Sequence, residues 1–100
     1  MVKYQIRFSK QAEKDKRLLK GAGLERKAKE LLNVIAQNPF QNPPPYEKLV
    51  GNLNGFYSRR INVKHRLVYE VLENTEGITD SNKEPYLGIV RVARMWTHYE

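Results

Sequence analysis

Residues 47–69 hold a carboxylate, Glu47, three arginines, Arg59, Arg60 and Arg66, and a histidine, His65, on what reads as one turn-and-hairpin unit. The arginines fall on two adjacent predicted strands. Alternation along a strand sends Arg59 and Arg60 to opposite faces, so at most one of them can join Arg66. Two arginines with Lys48 and Lys64 around one hairpin make a seat for phosphate, because a guanidinium offers forked donors that match phosphate oxygens. Tyr57, Trp96 and Tyr99 could stack on bases beside such a seat, although aromatics at these positions more often serve a core. The second histidine, His98, lies at the far end of the chain. Neither histidine has a cysteine or a His-x-x-x-His partner, so the sequence signals no metal site and implies no cofactor. Ser58 lacks the Gly-x-Ser-x-Gly elbow of a hydrolase nucleophile. The run Gly-Asn-Leu-Asn-Gly at 51–55 reads as a turn entering a strand, not a phosphate-binding loop.

The elements that must position these side chains follow from periodicity. Residues 2–8 alternate Val2, Tyr4, Ile6 and Phe8 with Lys3, Gln5 and Arg7, the pattern of a half-buried strand. Ser9 can cap a helix with a thin apolar stripe, Ala12, Leu18, Leu19 and Ala22, that Gly21 and Gly23 break. A second helix over 24–37 carries Leu24, Ala28, Leu31, Leu32, Ile35 and Ala36 at helical spacing and stops at Asn38-Pro39. Residues 39–46 contain three consecutive prolines and favour a stiff, extended polyproline segment just before Glu47. Phe56–Val63 and Arg66–Glu73 should pair as an antiparallel hairpin, with Leu67, Tyr69 and Val71 toward the helices and Arg66, Val68 and Glu70 turned away. Residues 74–85 read as an exposed, mobile connection. A nearly continuous apolar strand from Tyr86 to Trp96 suits the centre of a sheet. The expected architecture is α+β: an antiparallel sheet in the order β-α-α-β-β-β, with an N-terminal helical hairpin packed on one face, forming a single domain over 1–100.

Composition bounds the partners. One hundred residues with a formal charge of +7 present a field that attracts polyanions, nucleic acid first and an acidic protein second. No apolar window is long enough to span a membrane, the N-terminus lacks a secretory segment, and with no cysteine the chain has no disulfide. These features fit a reducing cytoplasm.

The spaced blocks Glu47-x-Leu49, Ser58-Arg59-Arg60-Ile61, His65-Arg66-Leu67-Val68-Tyr69 and His98-Tyr99 together resemble the signature of the YoeB/Txe toxins, a branch of the RelE/ParE toxin–antitoxin superfamily. The resemblance is close over 47–71 and at His98-Tyr99, and looser elsewhere. It implies a RelE-like fold related to the small microbial ribonucleases. It also implies a bacterial, cytoplasmic endoribonuclease that enters the A site of the 70S ribosome and cuts the mRNA there. By the same resemblance, Glu47 is the general base toward the ribose 2′-OH, His98 the general acid, Arg66 the clamp on the charged phosphate, and Tyr99 an aid to the nucleotide or the acid. Arg59 or Arg60 would seat the backbone, with Lys48, Lys64 and His65 nearby. The implied partners are an acidic antitoxin of the YefM/Axe type, operator DNA through the toxin–antitoxin complex, and a second copy, since family members often dimerise. The chemistry is self-consistent: RNA carries its own nucleophile, so a base, an acid and a cationic clamp suffice without metal.

Three features depart from that pattern. The 74–85 connection is longer, Glu100 follows the terminal tyrosine, and Val50 stands where some relatives have lysine. Two other readings compete: a ParE-like poison of DNA gyrase, which would not need Glu47, Arg66 and His98, and a non-catalytic basic RNA-binding protein.

Overall fold

The computed structural model describes residues 3–95. Its elements are β1 (Tyr4–Phe8), α1 (Lys10–Gly21), α2 (Glu25–Gln37), β2 (Glu47–Lys48), β3 (Phe56–Arg60), β4 (Arg66–Glu73) and β5 (Gly88–Arg94), with one 3₁₀ turn over Gly51–Leu53. The strands form a single sheet in the order β1-β5-β4-β3-β2. Both helices lie against one face of it.

Local chemistry explains most boundaries. The Ser9 hydroxyl accepts from the Ala12 N–H at 3.0 Å and donates to the Ala93 carbonyl at 2.8 Å, so one side chain starts α1 and ties it to β5. The buried stripe of α1 is Ala12, Asp15 and Leu19. Leu18, expected in that stripe, is 48% exposed, and the polar Asp15 takes the inward place instead. In α2 the buried residues are Ala28, Leu31, Ile35 and Ala36, on the predicted face. The helix ends at Asn38, whose extended backbone (φ −158°, ψ 105°) is what a following proline requires. The core joins these helices to Leu67, Tyr69, Val90 and Val92 of the sheet, with Ile61 and Met95. Among the described residues no helix is long and apolar enough to cross a membrane.

The sheet differs from the expected one in two ways. It is mixed, because β1 pairs in parallel with β5 while every other pair is antiparallel. It also has a fifth strand, β2, only two residues long. Neither leaves a periodic trace: two residues have no period, and β1 reaches β5 only through long-range docking onto the free edge of the β2–β5 meander. Gly88 permits that docking. A Cβ there would lie 2.9 Å from the Leu72 carbonyl oxygen and 3.0 Å from the Tyr4 ring.

Two connections are more ordered than their composition suggests. The β3–β4 turn begins at Ile61, so β3 stops short of the predicted Val63. The Asn62 carboxamide oxygen closes this turn by accepting from the N–H groups of Lys64 (2.9 Å) and His65 (2.7 Å). Residues 74–85, which read as mobile, are exposed but pinned. The Asn74 amide donates to the carbonyls of Ile78 (2.9 Å) and Tyr86 (3.0 Å) and its oxygen accepts from Ile78 N–H at 2.9 Å. Thr79 and Pro85 form a bridge across the same small hairpin, and Asp80 caps its tip by accepting from Asn82 and Glu84.

Candidate active site

Register decides which side chains meet. Glu47 stands opposite Ser58, Ser58 opposite Val68, and Arg60 opposite Arg66. Residues paired or two apart share a face, so Glu47, Ser58, Arg60 and Arg66 all project from the side of the sheet without helices. Arg66 Nη1 lies 3.5 Å from a Glu47 carboxylate oxygen and donates to the Ser58 hydroxyl at 3.3 Å. The pair is unequal: Glu47 is 65% exposed and Arg66 only 22%, so the guanidinium is held by the sheet while the carboxylate reaches out from an edge strand. Pro45, Tyr46, Glu47, Ser58, Arg60 and Arg66 line a cleft of about 230 Å³ at this point.

Arg59 has another function. It is 1% exposed and faces the helix side. Its Nε donates to the Tyr69 hydroxyl (3.1 Å), Nη1 to the Pro44 carbonyl (2.6 Å), and Nη2 to the carbonyls of Pro39 (3.0 Å) and Gln41 (2.9 Å). The Tyr69 hydroxyl donates in turn to the Pro39 carbonyl at 2.6 Å. Burial pushes the Tyr69 phenol above its ordinary value, and the Arg59 charge offsets part of that rise. Of the two arginines expected as alternatives for seating the backbone, Arg59 or Arg60, Arg59 has its donors on backbone carbonyls of the 39–46 segment. Within that segment the Asn42–Pro43 and Pro43–Pro44 bonds are cis. What Arg59 grips is the approach to Glu47, and Arg60 is the arginine left for the cleft.

Other predicted residues fall elsewhere. Tyr57 packs among Phe40 (5.2 Å between ring centroids), Tyr46 (5.8 Å) and Tyr69 (5.7 Å), away from the cleft. Lys48 alternates with Glu47, so it points to the opposite face and does not line the cleft. Lys64 and His65 sit in the β3–β4 turn. His65 is nearly buried, and its carbonyl accepts from Ile61 N–H at 2.8 Å, which gives it a part in closing the turn. Trp96, His98 and Tyr99 lie outside the described residues.

Two contributors escape sequence reasoning. Ser58, which has no features of a nucleophile, is the hydrogen-bond partner that fixes Arg66. Asp15, fully buried, accepts from Arg94 Nε and Met95 N–H, both at 2.9 Å, and from Gln11 at 3.1 Å. It thereby anchors the end of β5, the strand that leads toward His98. Burial would raise the Asp15 carboxyl, but the bonds from Arg94, Met95 and Gln11, with the Arg94 charge, outweigh it and hold the group below its ordinary value. A polar residue in an otherwise apolar stripe is the one signal of it in the sequence.

A mixed sheet covered on one face by two helices recurs in solved structures of other proteins. YafQ from Escherichia coli shares the fold, with a TM-score of 0.67 at 21% identity over 95% of this chain and 93% of that one. The family model described as the YoeB-like toxin of bacterial type II toxin–antitoxin systems matches residues 7–86, and the chain belongs to that family. The matched range contains Glu47 and Arg66 and ends before His98. Toxin YoeB of Synechocystis sp. is 44% identical over 59 residues, 59% of this chain and 62% of that toxin, so the alignment spans less than two thirds of the relative's length. Toxin YoeB of Escherichia coli K12 is 41% identical over 63 residues, covering 63% and 68%. Among solved structures, the heterotetrameric YoeB–YefM toxin–antitoxin complex of Staphylococcus aureus is similar at 34% identity and a TM-score of 0.68, over 96% of this chain and 98% of that one.

Proposed function

We propose that this toxin is a ribosome-dependent mRNA endoribonuclease that cuts the A-site codon by acid–base attack of the 2′-OH on the neighbouring phosphate. The observation that carries the reading is the meeting of Glu47 and Arg66, 3.5 Å apart in an open cleft beside Arg60 and Ser58. Glu47, exposed on the edge strand, takes the 2′-hydroxyl proton. Arg66, fixed by Ser58, turns from the carboxylate to the phosphate as negative charge builds on it, where an oriented cation contributes most. Arg60 seats the adjoining backbone. His98 protonates the departing 5′-oxygen and Tyr99 orients the nucleotide or the acid, leaving a 2′,3′-cyclic phosphate and a 5′-hydroxyl. No step calls on a metal. His98 must hold its proton at the departing oxygen, so the acid works only when the scissile phosphate is placed beside it. The ribosome supplies that placement.

The same reading gives the chain a YefM-like acidic antitoxin whose segment folds on the basic face, operator binding through that complex, and self-association like that of the YoeB dimer of Staphylococcus aureus. Primer-extension mapping of mRNA on ribosomes tests it. Codon-phased cuts with the parent protein, absent with Glu47→Ala and with His98→Gln and much weaker on naked RNA, are expected. Intact mRNA with broken DNA would turn the assignment toward a gyrase poison, and RNA binding without cleavage toward a non-catalytic binder.

A further inference from the structure

His98, the acid of the proposed reaction, follows the end of β5 at Arg94 in the sequence, so whatever fixes that strand end bears on it. The end of β5 stands level with the cleft. Glu47 is opposite Ser58, Ser58 opposite Val68, and Val68 opposite Arg94, one row across β2, β3, β4 and β5. Two strand spacings put the Arg94 backbone about 10 Å from that of Ser58. The stretch of chain from Arg94 to His98 covers about 13 Å when extended, so it is long enough to bring an imidazole to the cleft and long enough to carry it past. The direction in which the chain leaves β5 decides between the two.

That direction is set from the start of α1. Tyr69 is opposite Val92 while Val68 is opposite Arg94, so Ala93 is an extra residue, a bulge of the kind that re-aims a strand end. Ser9 N–H donates to the Val92 carbonyl at 3.0 Å, and the Ser9 hydroxyl to the Ala93 carbonyl at 2.8 Å. Asp15 Oδ2 accepts from Arg94 Nε and from Met95 N–H, both at 2.9 Å, while its Oδ1 accepts from Gln11 at 3.1 Å. Every residue from Val92 to Met95 is thus bonded to Ser9 or Asp15. Asp15 is fully buried, and a carboxylate there costs desolvation that an apolar residue completing the α1 stripe would avoid. What the carboxylate supplies instead is placement: one oxygen fixes the side chain of the last strand residue and the backbone of the next.

We propose that Asp15 is a positioning residue for the cleavage reaction: with Ser9 it locks the bulged end of β5 so that the chain leaves Met95 toward the cleft and His98 meets the departing 5′-oxygen. The proposal rests on the ribonuclease reading and deepens it. Asp15 acts through Arg94 and Met95, not on the substrate. In the reaction the 2′-oxygen bonds to phosphorus as the bond from phosphorus to the 5′-oxygen breaks. The electron pair of the broken bond goes to that oxygen, and His98 supplies the proton there. A misplaced acid impairs that proton transfer and leaves the attack by the 2′-oxygen intact.

The test uses a synthetic mRNA on ribosomes in which sulfur replaces the departing 5′-oxygen at the linkage mapped as cut. A thiolate leaves without a proton, so the sulfur linkage does not call on the acid. Single-turnover cleavage of both linkages is compared for the parent, Asp15→Ala, Asp15→Asn, His98→Gln and Glu47→Ala, with thermal unfolding to confirm that each is folded. Asp15→Ala should cut the oxygen linkage on the order of 10²-fold more slowly than the parent, the cost of a misplacement of about 1 Å, and the sulfur linkage within about twofold of it. Asp15→Asn keeps one oxygen for Met95 N–H, so it should fall between the two, and it carries the comparison where the alanine variant does not fold. His98→Gln sets the full effect of the acid, and Glu47→Ala slows both linkages. Equal slowing of the two linkages by the Asp15 variants would make Asp15 a merely structural residue and overturn the proposal. So would a parental rate on the oxygen linkage in the more disruptive variant that folds, or a failure of sulfur to relieve His98→Gln. A parent that cuts no mRNA on ribosomes is instead a failure of the ribonuclease reading, and the proposal falls with it.

Discussion

Arg59 and Arg60 are neighbours in β3, yet they belong to opposite sides of the molecule. On the covered side, Arg59 is enclosed by the rings of Tyr46 and Tyr69 and the proline segment, and its hydrogen bonds end on neutral oxygens. On the open side, Arg60 and its cross-strand partner Arg66 border a cleft, and Arg66 meets a carboxylate. The same side chain thus builds in one place and is available for chemistry in the other. The two tasks are linked, because the segment that Arg59 holds leads directly into Glu47.

The largest separation between the two sides should come from the cleft. Arg66→Ala is expected to lower the rate of cleavage on ribosomes by about 10²–10³-fold, and Glu47→Ala by about 10²–10⁴-fold. Both should leave stability within about 1 kcal/mol in denaturant titrations, because the Glu47 side of the pair is open to water and screens it. A variant that lost its fold along with its activity would place Arg66 with the structural arginine instead.

Arg59→Ala should behave in the opposite way. It leaves the Gln41 and Pro44 carbonyls and the Tyr69 hydroxyl without the Arg59 donor and the Pro39 carbonyl with Tyr69 alone, so a stability loss of about 3 kcal/mol or more is expected from urea unfolding. Activity should fall as well, since Glu47 loses its tether. Full stability with selective loss of RNA affinity would show that Arg59 reaches substrate after all.

A smaller effect concerns Asp15, the second buried charged group. Its folded-state pKa lies below the ordinary value of 3.8, so its contribution is fully present above that pH and is lost as pH falls through the folded value. Asp15→Asn should cost about 1–2 kcal/mol near neutrality and flatten the acid limb of the stability curve below pH 3.8. An unchanged acid limb would mean that other carboxylates govern it.

The finest distinction is between two cations close in sequence to the cleft residues. Arg60→Ala should reduce RNA cleavage by about tenfold, the effect of removing one exposed arginine–phosphate pair of about 1.4 kcal/mol. Lys48→Ala, on the other face, should change it less than twofold. Equal effects would erase the division that alternation draws.

Legibility follows range. The faces of β4 are readable because Leu67, Tyr69 and Val71 alternate with Arg66, Val68 and Glu70 over enough residues to set a period, and the end of α2 is readable from Asn38-Pro39. The signature blocks point to Glu47 and Arg66, but nothing local shows that they touch, since their meeting depends on a two-residue strand. Tyr57 is ambiguous for a similar reason: an aromatic on a strand suits a base or a core equally until the neighbours are known.

By itself the sequence determined the class of the fold, the two helices, the β3–β4 hairpin and the positive field, because each arises from local periodicity, turn chemistry or a sum of charges. It also determined that Arg59 and Arg60 must part. Only the tertiary structure decided which of the two was enclosed, that β1 joins β5 in parallel, and that an aspartate completes the helical stripe. Those outcomes turn on long-range packing, where a buried guanidinium or carboxylate is tolerated only if distant backbone groups come to meet it.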